Sequence, residues 1–413
     1  MTIPEYSKKR LRAFLEEVSH LKGLEFPYPQ SKQALEQIHD TLSEWLRTVE
    51  QLSDDSDPVI VRGTCKNALS HLFIYLPLLG FILRSTDVRN AFEIYGPLRR
   101  LSRRILGESA KLILSSEWDY SPFTYLDIPI LQGFVLIGLP APESANPLLV
   151  PLAGHELGHP VWRQRALLSD VSPRIVSRIL QVIRDQRWDE YVRHFSGINK
   201  DDVEIDLSAR RTWEPAYEWG CAQAEETFCD LFGLRLFKES YLHAFAYLLS
   251  PNHGGPRPLR YPNFRRRALN LVEAAEKYRV MVPPSYADLF EDMQLPSDAD
   301  PQSSFLLELA DVASQSVVMD LVEFANSAFI DSMIEEGNQN KVDEIHNDFS
   351  KYIVPARNPA TLTAILNAGW EAFHDPDLWS AHPEIKHKDK TLKELILKSI
   401  EVLEFKTVMR GSE

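Results

Sequence analysis

The chain has 413 residues, 44% hydrophobic and 25% charged, a composition with enough apolar material for a real core. Its 59 acidic residues outnumber 45 basic ones for a net charge of −14, and no segment concentrates lysine and arginine, so a nucleic-acid partner is disfavoured. Cys65, Cys221 and Cys229 are too few for a disulfide framework and form no CxxC pair, which argues against a thiolate zinc site and for a reducing compartment.

The opening MTIPEYSKKRLRAFLEEV is amphipathic and lacks the apolar stretch of a signal peptide, so a cytoplasmic protein is expected. Residues 1–120 read as an N-terminal helical region. Leu35, Ile38, Leu42, Trp45, Leu46 and Val49 recur at spacings of three and four, which sets them on one helix face. After a polar break at 53–58, helical stretches are predicted over 62–84 and 88–115. The run Leu72 to Leu83 is apolar but contains Pro77 and Gly80 and falls short of the about 20 residues of a membrane span. It is expected to be a buried helix, with no membrane involved.

The texture changes near residue 121. The segment SPFTYLDIPILQGFVLIGLPAP is rich in proline, and its runs FTYLDI and FVLIGL are the best strand candidates. A long helical stretch follows from Val161 to about Gly220, with a polar, loop-like part at 196–212. Trp213 to Lys238 reads as a second long helix. Residues 121–275 are therefore grouped as a core region. From 276 to 413 helices return, after a loop-rich junction with Pro283, Pro284, Pro296 and Pro301. Phe305 to Ile334 is apolar on one face, Asn358-Pro359 reads as a helix start, and Thr391 to Val408 as a last amphipathic helix. The fold class expected is mainly α with a small β element.

The core region carries His155-Glu156-Leu157-Gly158-His159. Histidines four apart on a helix share a face one turn apart, so two imidazoles can meet one metal ion while the intervening glutamate reaches a water on it. The flanking Leu148, Leu149, Val150, Leu152, Ala153, Leu157 and Val161 suit a helix with an apolar back and histidines facing inward. Catalytic zinc needs a third protein ligand and an open position. The helix containing AEETFCDLFG offers Glu226 as that ligand, with Asp230 one turn on to accept a hydrogen bond from a ligand imidazole. Glu225 is the rival, with Cys229 as its one-turn partner. Gly233 on roughly the same face would allow close approach of a neighbouring helix.

The pattern His155-Glu156-x-x-His159 followed by Glu226-x-x-x-Asp230 resembles the gluzincin class of zinc metallopeptidases, over roughly residues 121–240. The resemblance implies a zincin-like metallopeptidase core flanked by helical regions, a Zn²⁺ cofactor, and hydrolysis of a peptide or protein substrate by zinc-activated water. Glu156 would be the general base, His155, His159 and Glu226 the metal ligands, and Asp230 the support of a histidine. Substrate would run along an edge strand at residues 134–139. Tyr241, His243, Tyr247, His253 and Arg257 are candidates for an electrophile, none at a diagnostic spacing. Pro160 departs from the class pattern. It predicts that the helix bends or ends at His159, or that Pro151 and Pro160 bracket a short helix. The alternative is a non-catalytic helical interaction or regulatory protein with a structural or vestigial zinc site.

Two further features attract notice. His374, His382 and His387 match no ligand spacing and read as a solvated turn region. Arg265, Arg266 and Arg267 could bind a carboxylate or phosphate, but three adjacent helical positions point in different directions, so they read as surface charge or ion pairs. The chain has no P-loop, dinucleotide fingerprint or G-x-S-x-G elbow.

Overall fold

The computed structural model describes residues 2–410 apart from 54–55, 88–90, 118–122, 126–129, 144, 252–255, 296–297, 335–337, 356–360, 381 and 383. It divides into two compact units, residues 1–103 with 107–145, and residues 104–106 with 146–413. The fold is mainly α with a small β element, as the sequence predicts. The units cut across the three regions read from sequence texture. The strands group with the N-terminal helices, and the helices beyond residue 276 group with the helix that carries the motif.

In the first unit, α1 (Ile3–Lys22), α2 (Pro29–Glu50) and α3 (Pro58–Arg84) pack on one another, and α4 (Ala91–Leu106) follows. Leu35, Ile38, Leu42 and Val49 of α2 are buried, with Trp45 and Leu46 packed beside them, as their spacing predicts. The apolar run of α3 is only half interior. Leu72, Tyr75, Leu78, Leu79 and Ile82 are buried, whereas Phe73, Ile74 and Leu76 are 64%, 54% and 58% exposed. A run of consecutive apolar residues covers every face of a helix, and packing against α1 and α2 covers only one. By length and composition alone, α3 is also apolar enough to cross a membrane.

The sheet has the order β1-β3-β2, from β1 (Lys111–Glu117), β2 (Phe123–Thr124) and β3 (Phe134–Pro140). β1 runs parallel to β3, with Lys111 opposite Phe134 and Glu117 opposite Pro140; β2 is antiparallel, with Phe123 opposite Gly138. Two expectations fail here. Residues 111–115 are strand rather than helix, because Gly107 at φ +101° closes α4 and the fully buried Leu112, Ile113 and Leu114 carry no alternation to mark a strand. The 134–139 strand is the middle one of the sheet and not an edge. Of FTYLDI, Phe123 and Thr124 form β2, and residues 126–128 lie outside the described residues.

In the second unit a 3₁₀ turn (Pro147–Leu152) leads into α5 (Ala153–Gln164). Then come α6 (Leu167–Gln181), a π turn (Val182–Gln186), α7 (Trp188–His194), α8 (Leu207–Phe237), α9 (Glu239–Leu249), α10 (Phe264–Tyr278), α11 (Pro301–Gln315) and α12 (Val318–Asp331). Last are α13 (Gln339–Ser350), α14 (Leu362–His374) and α15 (Lys388–Met409). The 31-residue α8 is the axis of this unit, with α5, α6, α10, α11 and α12 packed around it. It begins at Leu207, inside the predicted 196–212 loop, because the Asp206 carboxylate accepts from the Ser208 and Ala209 amides. The apolar stretch 305–334 is two helices, parted at Ser316 and Val317. Asn358 and Pro359 lie outside the described residues; α14 opens with the Thr361 hydroxyl accepting from the Ala364 amide.

Candidate metal centre

The centre is built where α5 and α8 meet, and glycine decides how near they come. A Cβ on Gly158 would stand 2.8 Å from the Cα of Cys229, and one on Gly154 would stand 3.0 Å from the Cα of Gly233. The two backbones are almost in contact, so side chains as short as His and Asp bridge them. Pro160 does not end α5, which continues to Gln164. Proline deletes one donor, the one that would serve the Glu156 carbonyl, and the ladder resumes with the Arg165 amide on the Val161 carbonyl at 3.0 Å. The pentapeptide is therefore helical throughout.

His155 and His159 stand edge to face, with ring centroids 5.2 Å apart. Each ring is held at Nδ1 by a carboxylate of α8: His155 by Asp230 at 2.8 Å, and His159 by Glu225 at 2.9 Å. Each then turns Nε2 toward Glu226, at 3.3 Å from Oε2 for His155 and 3.8 Å from Oε1 for His159. The 3.3 Å contact is an ion pair but does not meet hydrogen-bond geometry, so among the described residues Glu226 Oε2 is buried with no hydrogen-bond partner. Glu156 is 4% exposed and, among the described residues, makes no hydrogen bond. Asp230 is the anchor of the cluster. It also accepts from the Tyr241 hydroxyl at 2.9 Å and from Arg267, through Nε at 2.7 Å and Nη2 at 2.8 Å.

Burial opposes every charge in this cluster, and the outcome depends on partners. For Asp230, burial works against the carboxylate, but the Arg267 charge and its hydrogen bonds prevail and hold Asp230 well below the usual carboxylate range. For His155, burial works against the imidazolium, yet its hydrogen bond to Asp230 and the nearby Glu226 push it up to about 10 in the metal-free protein. Glu226 is lowered, against burial, by His155 and His159. Glu156 goes the other way: burial dominates and raises it.

The two rival carboxylates thus separate by geometry. Glu226 faces both Nε2 atoms, and Glu225 orients His159 from behind, a support the sequence reading did not assign. Arg267, read as surface charge or an ion pair, is an ion pair, 7% exposed and locked to Asp230. Arg265 pairs instead with Asp288, so the three arginines do diverge as their helical spacing requires. Of the electrophile candidates, Tyr241 is committed to Asp230, His243 to His374 at 3.2 Å, Tyr247 to the ring of Trp370 and Arg257 to Asp311; His253 lies outside the described residues. Tyr261, which no motif marked, also senses the charge of the centre. The Glu226 charge and burial push it up to about 12. His374 is exposed but ends α14 rather than lying in a turn, and it stacks on Trp370; His382 pairs with Glu384 at an exposed site.

The residues fit a metal ion. Two imidazole Nε2 atoms, fixed at Nδ1 by carboxylates, face the two oxygens of the Glu226 carboxylate, His155 toward Oε2 and His159 toward Oε1. Cys229 also belongs to the cluster, its sulfur lying within 4.8 Å of ring nitrogens of His155 and His159. Its thiol is pushed far up by burial, and it packs against the Gly158 backbone. No family model matches the chain, and no curated protein or solved structure matches it either.

Proposed function

We propose that the chain is a zinc-dependent metallopeptidase with a zincin-like core, in which His155, His159 and Glu226 hold the ion and Glu156 is the general base. The observation that carries this reading is the orphaned Glu226 Oε2, 3.3 Å from His155 Nε2. A buried acceptor without a donor costs free energy unless something electropositive completes it. The Asp230 and Glu225 hydrogen bonds fix both imidazoles with a proton at Nδ1, so that the lone pair at Nε2 is the one a metal ion would use, displacing the proton that His155 Nε2 carries in the metal-free protein.

When bound there, zinc supplies Lewis acidity and lowers the pKa of a water to roughly 7. Glu156 accepts a proton at a carboxylate oxygen as water adds to the scissile carbonyl carbon. It returns that proton to the amide nitrogen as the C–N bond breaks. Burial, which raises Glu156 toward the working pH, suits a group that must both take and give a proton. Asp230, held by Arg267 and Tyr241, keeps the His155 ring from turning.

The test is Glu156→Gln. It keeps stoichiometric zinc and lowers peptide hydrolysis by about 10²- to 10⁴-fold; wild-type turnover from this variant would overturn the assignment. A second reading, a closed structural site, draws on the presence of Cys229 in the cluster. In that case Cys229→Ser would release the metal, whereas the catalytic reading predicts that zinc and hydrolysis persist.

A further inference from the structure

We propose that the outer face of α3 docks the chain on an anionic membrane surface. Phe73, Ile74 and Leu76 enter the boundary between headgroups and acyl chains, and Arg10, Arg62 and Lys66 meet lipid phosphates. The proposal concerns the first unit alone and does not depend on the metal centre.

The first observation is apolar exposure in one place. Phe73, Ile74 and Leu76 are each more than half exposed, and Pro77 beside them is exposed too. The opposite face is committed: Cys65, Ala68, Leu72, Tyr75 and Leu79 are buried, and α1 and α2 pack on the helix. A helix held in that way lies along a bilayer and does not cross it. The sequence argument against a membrane weighed a span of about 20 residues, whereas a helix at the interface needs only one apolar face.

The second observation is charge, and it selects the occupant. At the chain's average of 59 acids in 413 residues, the 27 residues of α3 would hold about four, yet they hold none. The cations of α3 fall on the same side as the apolar patch. At about 100° per residue, Arg62, Lys66, Phe73 and Pro77 lie within about 60° of one another. Arg62 and Lys66 are exposed and, among the described residues, their side chains form no ion pair or hydrogen bond. Arg10 joins them from α1. Its guanidinium carbon is 5.7 Å from the centre of the Phe73 ring, and it too is exposed and without an ion pair among the described residues. Cations on long stems beside an apolar patch suit an anionic interface, where the stems lie on acyl chains and the heads reach phosphates. A second copy is the poorer occupant. Two copies paired through Phe73 would bring their Arg10 guanidiniums together, with no acid on α3 to offset them.

Co-sedimentation of the full chain with lipid vesicles tests the face. Vesicles of phosphatidylcholine with one-third phosphatidylglycerol are expected to bind about 10- to 100-fold more tightly than phosphatidylcholine alone, as three cations near an anionic surface imply. Phe73→Ser combined with Leu76→Ser, both at exposed positions, should keep the helical circular dichroism spectrum and weaken binding by about tenfold or more. Lys66→Gln should weaken binding to the mixed vesicles by about fivefold and leave phosphatidylcholine binding unchanged. Phe405→Ser, at a similarly exposed aromatic of the second unit, should bind as the wild type does. Equal binding to both kinds of vesicle, binding to neither, a double variant that binds as tightly as the wild type, or equal loss in Phe405→Ser would each overturn the proposal. So would a dimer in sedimentation velocity that the double variant dissolves, because the face would then belong to a second copy.

Discussion

Two neighbouring strips of α8 carry unlike chemistry. On one, Glu226 and Asp230 meet the α5 imidazoles across backbones so close that a methyl group has no room. Partners run from Arg267 through Asp230 to His155 and stop at a single buried oxygen. On the other, Gln223 and Thr227 border an open cavity edged by guanidiniums on longer, more flexible side chains. The first arrangement is rigid, small and short of one positive centre, which suits an ion. The second is wide and edged mainly by guanidiniums, with room for far more than an ion. The contrast shows that burial of charge alone does not define a ligand; the number of fixed partners and the space left over do.

The sharpest way to break the contrast is to loosen the rigid side. Asp230→Asn removes the charge that Arg267 and His155 share, and is expected to weaken zinc affinity by about 10- to 100-fold. It also leaves Arg267 buried without its counter-charge, a loss of roughly 3–5 kcal/mol in a denaturant melt. Glu225→Gln, at the half-buried support of His159, should fall at or below the low end of that affinity range. If both substitutions leave zinc affinity unchanged, the carboxylates do not orient the ligands.

The next effect tests the close approach of the helices. Gly158→Ala drives a Cβ to 2.8 Å from the Cys229 backbone, which cannot withdraw as a flexible side-chain end would. The expected cost is about 1–3 kcal/mol, read from the urea midpoint. Gly63, at an exposed position of α3 where a Cβ would meet nothing within 4 Å, is the control and should tolerate alanine without loss.

A smaller effect concerns pH. In the metal-free protein His155 is pushed up to about 10 from an ordinary value near 6.5. A raised histidine contributes stability that is fully present below about 6.5 and is lost as pH rises through about 10. Melts of metal-free protein should therefore decline in stability across that window, and His155→Gln should flatten the decline. A flat wild-type profile would contradict the pairing with Asp230.

Much of the centre was legible in the sequence because its geometry is local. His155 and His159 share a face by helical spacing, as do Glu226 and Asp230, and these are the residues brought together. Gly233 was legible as a point of close approach for the same reason. What spacing could not reveal is which side of an imidazole each carboxylate meets, so Glu225 was a rival ligand on paper and is an orienting group in the fold. Arg267 and Tyr241 reach Asp230 from another turn and another helix, and no local pattern encodes such a meeting. Pro160 misled because a single missing donor is a smaller perturbation than the rest of a well-packed helix can absorb. The strand at Lys111–Glu117 was missed because burial on both faces erases the alternation by which strands are recognised.

The central claim is that Glu226 completes a zinc site with His155 and His159. Its most direct test is the zinc content of wild-type and Glu226→Ala protein, purified without chelator and measured by elemental analysis beside a circular dichroism spectrum. The account predicts one zinc per chain in the wild type and its loss from a Glu226→Ala protein that keeps its helical spectrum. A wild type without zinc, or a variant that holds it as firmly, would contradict the account.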